Sequence, residues 1–352
     1  MSTLPKNHWV NLHRSMLPAP VAGGFRMEGY WVWCGSVVKG EDGRYHMFAS
    51  RWPKNQPMHP GWLLGSEVVR ASSDTPEGPY HFEEVVLPVR GPQYWDGRMT
   101  HNPHITKIGN RYLLFYTGST HPFADPTETL KLDDPCVIVA RANKRVGIAV
   151  SDSVFGPWKR MDSPILPTRP GKFDNLLTSN PAPCVNPDGS VLLMYKARGY
   201  NPPPYIGLLH GDMTLGVAYG QTYQGPYRVL QDDPLFPPQV SLEDPFIWNS
   251  GSGYEMIAKD MTGNICGEKY GGVHAYSTDG RHWDICMGEL AYSRKVLWDD
   301  GETRLMGNLE RPFILFDDMG KPTHLFFATS DGTNGFHDAT QTWNMVIPLK
   351  QE

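Results

Sequence analysis

The sequence predicts an all-β chain folded as one five-bladed β-propeller, and three observations predict it. A first phrase recurs five times: a Pro or Gly step, a short apolar run, a turn, then an aromatic-rich run. Its anchors are Gly35, Pro103, Pro181, Pro245 and Pro312, spaced 64 to 78 residues apart. A second phrase follows the first: Ser73-Asp74 leads to Gly78-Pro79-Tyr80, and Ser151-Asp152 to Gly156-Pro157-Trp158. Gln221-Thr222 leads to Gly225-Pro226-Tyr227, and Ser277-Thr278-Asp279-Gly280 to Trp283. Third, the apolar runs are short and show no sustained helical period, so no helix is expected. A repeat of this length describes units that bury their apolar faces only against their neighbours.

The elements follow in order. The first unit reads Cys34-Gly35-Ser36-Val37-Val38, Tyr45 to Phe48, Ser66 to Ala71 and Phe82 to Leu87. The second reads Asn102-Pro103-His104-Ile105, Tyr112 to Tyr116 and Val146 to Val150. The third reads Asn180-Pro181-Ala182-Pro183, Val191 to Tyr195 and Leu215 to Tyr219. The fourth reads Asp244 to Trp248, Tyr254 to Ile257 and Gly272 to Tyr276, and the fifth Arg311 to Leu315 and His324 to Phe327. β-Branched and aromatic runs bounded by Gly, Pro, Asn and Asp are strands. Four short antiparallel strands, five times over, make a propeller. The blades are expected over 25–90, 91–165, 166–235, 236–300 and 301–352. The segment 1–17 precedes them and is placed to close the last blade.

Composition narrows the function. The 352 residues carry a net charge of −5 and show no basic stripe, so nucleic acid is not an expected partner. Five cysteines (Cys34, Cys136, Cys184, Cys266, Cys286) lack any CxxC spacing, which argues against zinc and for buried thiols in a reducing compartment. No run is long and apolar enough for a membrane span, and Met1 to His8 lack a signal-peptide core. A cytoplasmic protein without cofactor or metal is the expectation. Asp133-Asp134-Pro135, Asp232-Asp233-Pro234 and Asp317-Asp318 are read as turns, since their spacing makes no calcium loop.

The inner strands depart from an apolar pattern where they begin. The residue before each anchor is Cys34, Asn102, Asn180, Asp244 or Arg311, and their predecessors are Trp33, His101, Ser179, Glu243 and Glu310. All ten should crowd one end of the central channel. Leaving such groups buried and unpaired costs on the order of several kcal/mol, so a purely structural channel has no need of them. Convergent polar groups in an aromatic-edged concavity are the default binding or active site.

At these residues the chain resembles the five-bladed-propeller glycoside hydrolases related to family 43. Leu309-Glu310-Arg311-Pro312 matches that group's Glu-Gly-Pro step, with Arg311 in place of Gly, and Leu242-Glu243-Asp244-Pro245 matches its Asp-Pro step. The resemblance implies Glu310 as general acid and Asp244 as the carboxylate that orients it. It also implies an Asp base opening the first blade, where this chain has Trp33-Cys34-Gly35-Ser36. Three loop acids lie six residues before their blade's opening residue: Glu28, Asp96 and Asp174. Asp96, beside Tyr94 and Trp95, is the first candidate for the base and Glu28 the second, with Cys34 as a small packing residue. Glu243 is a further catalytic candidate, although strand alternation should turn it away from Asp244. His101, Asn102, Asn180, Arg311, Arg51, Trp33, Glu28 and Asp174 are candidates for substrate binding.

Structural roles stand beside these. Glu310 and Arg311 could pair only with each other, Asp244 could be a turn residue, and Asp96 and Asp174 could cap loops. Lys196 and Lys259, which close their strands, are read as peripheral. The expected activity is hydrolysis of a small oligosaccharide or glycan end, with the inserts Arg51 to Trp62 and Thr120 to Cys136 walling the pocket. A phosphorylase, which needs a basic phosphate site, and a non-catalytic carbohydrate-binding propeller are the alternatives.

Overall fold

The computed structural model describes residues 11–201 and 209–351. Each repeat folds as an antiparallel meander in which sequential strands are neighbours. The first blade is Tyr30–Lys39, Tyr45–Pro53, Glu67–Ser73 and His81–Leu87, and the second Met99–Ile108, Arg111–Ser119, Arg145–Ser151 and Lys159–Arg160. The third is Leu177–Val185, Val191–Tyr200, His210–Gly220 and Arg228–Val229. The fourth is Leu242–Asn249, Tyr254–Asp260, Gly272–Ser277 and Asp284–Ile285. The fifth is Glu310–Phe316, Pro322–Ser330 and Thr342–Pro348. The first strand of each blade touches that of the next, and the fifth touches the first, closing a ring. The core lies between blades: Phe48 with Leu114 and Tyr116, Leu193 with Phe115 and Ile148, Met256 with Leu192.

The fifth sheet has only three strands of its own, and the segment before the first blade completes it. Phe25 and Asn344 exchange backbone hydrogen bonds of 2.8 and 3.1 Å, and the Leu17 N–H donates to the Pro348 carbonyl at 2.9 Å. Phe25 and Ala19 are fully buried there. Residues 1–10 of the segment expected to close this blade lie outside the described residues.

One backbone feature sets the site. Cys34, Asn102, Asn180, Asp244 and Arg311 all have positive φ, between 50° and 58°. The pairing register slips around them, from Trp33 to Ser36, His101 to His104, Glu243 to Phe246 and Glu310 to Phe313, and opposite Asn180 between Met194 and Lys196. Each inner strand therefore carries a β-bulge, which re-aims side chains and often borders an active site. Asn and Asp tolerate the left-handed conformation best among non-glycine residues, which suits them to three of the five positions. The bulge also corrects the alternation expected at 243–244: Glu243 and Asp244 line the same cavity.

Past the end of the strand Tyr45–Pro53, the two inserts are not plain loop. Each folds a short helical segment, Met58–Gly65, kinked where His59 is extended, and Pro135–Ala142, contrary to the expectation of none. Leu63, Leu130, Val137 and Ala140 bury together and hold the two inserts against each other. Both helices are far too short to show a sustained period, which is why the hydrophobic pattern does not register them. Among the described residues, no helix is long and apolar enough to cross a membrane.

Candidate active site

A cavity of about 440 Å³ opens at the end of the channel where the bulges lie. Eight of the ten strand-opening residues line it: Trp33, His101, Asn102, Asn180, Glu243, Asp244, Glu310 and Arg311. Cys34 and Ser179 do not. The inserts supply one wall, with Met58, His59 and Trp62 from the first helix and Arg141 from the second.

The floor is a hydrogen-bonded ring running blade to blade. The Cys34 thiol donates to Asn102 Oδ1 at 2.7 Å, and Asn102 Nδ2 donates to Asn180 Oδ1 at 2.7 Å. Asn180 Nδ2 donates to Asp244 Oδ1 at 2.7 Å, and the Arg311 backbone N–H donates to Asp244 Oδ2 at 3.1 Å. The Arg311 guanidinium reaches the Pro181 carbonyl at 3.3 Å and lies 3.6 Å from Asp244. Burial pushes the Cys34 thiol well above its ordinary pKa, so it stays neutral. Both oxygens of Asp244 are committed to this ring.

Above the ring lie the other two acids. Lys259 Nζ is 2.8 Å from Glu243 Oε2 and 3.0 Å from Glu310 Oε1, and Lys196 Nζ holds the other oxygen of Glu243. Those two oxygens are thus within about 6 Å of each other, close enough to flank one glycosidic bond. The register explains the arrangement, because Glu243 pairs with Lys259 and Ser179 with Lys196 across their hairpins. Lys196 and Lys259 are therefore not peripheral. The position is repeated five times, since residues 50, 117, 196, 259 and 328 stand opposite the openers, but only the pairing register shows it.

The two carboxyls titrate apart. Burial raises the pKa of Glu310; Lys259 opposes this, and the negative charges of Glu243 and Asp244 add to the rise. Burial also disfavours ionised Glu243, but Lys196 and Lys259 outweigh it and hold Glu243 well below the usual carboxylate range. One acid is set to keep a proton and its neighbour to lose one, the division of labour that acid–base chemistry needs.

Four expected site residues lie elsewhere. Asp96 is fully buried outside the cavity, bound to Arg90 Nε at 2.7 Å, the Tyr116 hydroxyl at 2.7 Å and Arg160 at 3.4 Å. Asp174 repeats that cluster with Arg169 at 3.0 Å and the Tyr195 hydroxyl at 2.8 Å. Their shared offset reports a repeated structural anchor, with Arg five or six residues upstream. Trp95 stacks on Tyr116 rather than forming a sugar platform. Arg51 pairs with Glu67 at 2.9 Å between Tyr30 and Phe82, and Glu28 is exposed; neither lines the cavity. The aromatic edge is instead Trp33, Trp52, Trp62, Tyr270 and Phe336, with Trp62 stacked on His101 at 4.7 Å. Burial, with Lys144 and Arg311 nearby, keeps His101 neutral. Among the described residues, no cluster of His, Cys, Asp and Glu is arranged to hold a metal ion.

No family model matches the chain, and no curated protein matches it. Solved structures do. Zg3597, a family 117 glycoside hydrolase of the marine bacterium Zobellia galactanivorans, superposes with a TM-score of 0.65 at 17% identity, over 95% of this chain and 89% of that one. BT0996, solved in a complex with RGII, gives 0.67 at 15% identity, over 96% and 93%. A GH43_1 enzyme from Xanthomonas citri complexed with xylose gives 0.57 at 15% identity, over 97% and 93%. The protein thus has the fold of the five-bladed-propeller glycoside hydrolases.

Proposed function

We propose that the protein is a glycoside hydrolase that cleaves a small oligosaccharide or a glycan end, with Glu310 as proton donor and Glu243 as the ionised carboxylate. The observation that carries this reading is the Lys259-bridged pair of acids whose environments drive their pKa values apart. Glu310 gives its proton to the glycosidic oxygen as the bond to the sugar breaks. Glu243, kept ionised by two lysines, is the second carboxylate that glycoside cleavage requires. Asp244 acts on Glu310 through charge and fixes Arg311, which makes it a positioning residue. The pocket shape supports action on a chain end, because the helices at 58–65 and 135–142 close one side. The complexes among the fold neighbours, with xylose and with RGII, agree with a glycan ligand.

The test is reducing-sugar release from a panel of oligosaccharides by wild type, Glu243→Gln and Glu310→Gln. Loss of an acid–base group typically costs ~10²–10⁴-fold, and both variants should lose that much while remaining folded. A wild-type protein that binds sugars but releases none from any panel member is a carbohydrate-binding propeller, and the hydrolase reading is then wrong.

A further inference from the structure

The cavity is not electrically balanced. Among the described residues, seven cationic side chains line it (Arg141, Lys144, Lys196, Arg198, Lys259, Arg294, Arg311) against three acids, Glu243, Asp244 and Glu310. The acids are already engaged: Lys196 and Lys259 hold Glu243, Lys259 holds Glu310, and Arg311 faces Asp244. Arg294 has Glu268 at 3.7 Å.

Three cations on the wall form no ion pair within 4 Å among the described residues, although the charge of Glu243 reaches Lys144 and Arg198 and that of Asp212 reaches Arg198. Arg198 donates to the Gly211 carbonyl at 2.8 Å and meets His210 Nδ1 at 3.0 Å. Arg141 meets only His59, at 3.5 Å. Lys144 is 4% exposed, and its ammonium has no hydrogen-bond partner among the described residues; it sits 5.1 Å over the Trp62 ring. Residues 202–208, which follow Arg198 in the chain, contain no acid. Burial pushes the Lys144 ammonium well below its ordinary pKa, Lys196, Arg141 and Arg198 push the same way, and Glu243 opposes them only in part. An unpaired buried cation facing others of its sign is costly unless something anionic joins them.

A second observation points the same way. The Trp62 indole N–H donates to His59 Nδ1 at 2.8 Å, so the proton of the neutral ring is on Nε2. The ring is neutral, because burial and the nearby cations lower its pKa to about 4. His59 Nε2–H then faces the Arg141 guanidinium at 3.5 Å, donor against donor. An acceptor between them would satisfy both.

We propose that the wall made by Arg141, Lys144, Arg198 and the His59 Nε2–H binds an oxyanion: a sulfate, phosphate or carboxylate group. The proposal rests on the reading that the cavity receives a sugar. The oxyanion is then either a substituent of that sugar or free phosphate accepting the glycosyl group. In the second case a phosphate oxygen bonds to the anomeric carbon, the glycosidic bond breaks, and Glu310 protonates the departing oxygen.

The probes are inorganic sulfate and inorganic phosphate, titrated calorimetrically into the full chain against chloride at equal ionic strength. Wild type should bind them above chloride, and Lys144→Met and Arg198→Gln should each weaken binding about tenfold or more. Lys144→Met should also be no less thermally stable in chloride alone, because it removes an unpaired buried charge; a structural lysine would lose stability. On matched substrates, an anionic glycoside should be favoured over its neutral counterpart by roughly 10- to 100-fold. Phosphate that competes with the anionic substrate and stays out of the product identifies a sugar substituent. Phosphate that accelerates cleavage of a neutral substrate and appears as glycosyl phosphate identifies the free ion. Anion binding no stronger than chloride, or binding unchanged in both variants, overturns the proposal. Anion binding without any cleavage leaves this site standing and removes the hydrolase reading; cleavage of neutral sugars without anion binding does the reverse.

Discussion

At the scale of residues, the proposed chemistry rests on how one lysine divides two acids. Lys259 is itself buried, and burial alone would discharge it; the charges of Glu243, Glu310 and Asp244 raise its pKa instead. It therefore stays charged and spans the pair, while Lys196 adds its charge to Glu243 alone. The pH dependence follows with a definite sign. The proposed mechanism requires Glu243 ionised and Glu310 protonated. Because Glu243 titrates below the usual carboxylate range, the acid limb of kcat/KM should be displaced downward. Because Glu310 titrates above it, activity should persist beyond ordinary carboxylate pH and fall as Glu310 loses its proton. A pH–rate profile checks this, and Glu310→Gln should erase the alkaline limb. Asp96 belongs to stability instead. Asp96→Asn leaves Arg90 and Arg160 without their buried acid, a kind of loss that costs ~3–5 kcal/mol. Urea unfolding should show that loss while the folded fraction keeps its activity.

At the scale of elements, the bulged inner strand is the unit that repeats. The Pro or Gly anchor of that strand was legible in the sequence; the left-handed conformation of the residue before it was not, since Cys34 and Arg311 adopt it as well as Asn and Asp. The convergence of Asp244, Glu310 and Arg311 was legible with it, whereas alternation pointed Glu243 away until the bulge turned it into the same cavity. What lies across the hairpin was not legible. Lys259 meets Glu243 only through a pairing register that the bulge shifts, and composition holds no trace of it. Asp96 and Asp174 depart from expectation for a related reason. Their offset from the strand is real, but their direction is set by Arg90 and Arg169 in the same loops. The basic wall comes from inserts and strand ends outside the repeat, where no second copy exists for comparison. The ring of Cys34, Asn102, Asn180, Asp244 and Arg311 is also testable here. Asn180→Gly keeps the positive φ but leaves Asp244 and Asn102 each short of a partner, which should cost ~1–3 kcal/mol. Asn180→Val adds left-handed strain of about 1–2 kcal/mol. Chemical denaturation should rank wild type, Gly, then Val in falling stability; Val equal to Gly would mean the bulge relaxes.

At the scale of the whole molecule, five sheets and the segment that closes the fifth hold residues from distant parts of the sequence at one end of a channel. Glu243 and Glu310 come from adjacent blades, Lys196 from the blade before, and much of the aromatic wall from the first. The protein as a whole is negative, with a net charge of −5, yet this cavity gathers seven cations. The field that a ligand meets there is set locally and opposes that of the surface, so binding of charged sugars should weaken as salt rises. The central claim is that Glu310 delivers the proton that releases the leaving group, and leaving-group dependence tests it most directly. Wild type and Glu310→Gln are compared on two aryl glycosides of the cleaved sugar, one with an activated phenol and one with a poor leaving group. On the poor leaving group the variant should lose ~10²–10⁴-fold in kcat/KM, and on the activated one far less. Equal losses on both substrates, whether small or large, would contradict the assignment.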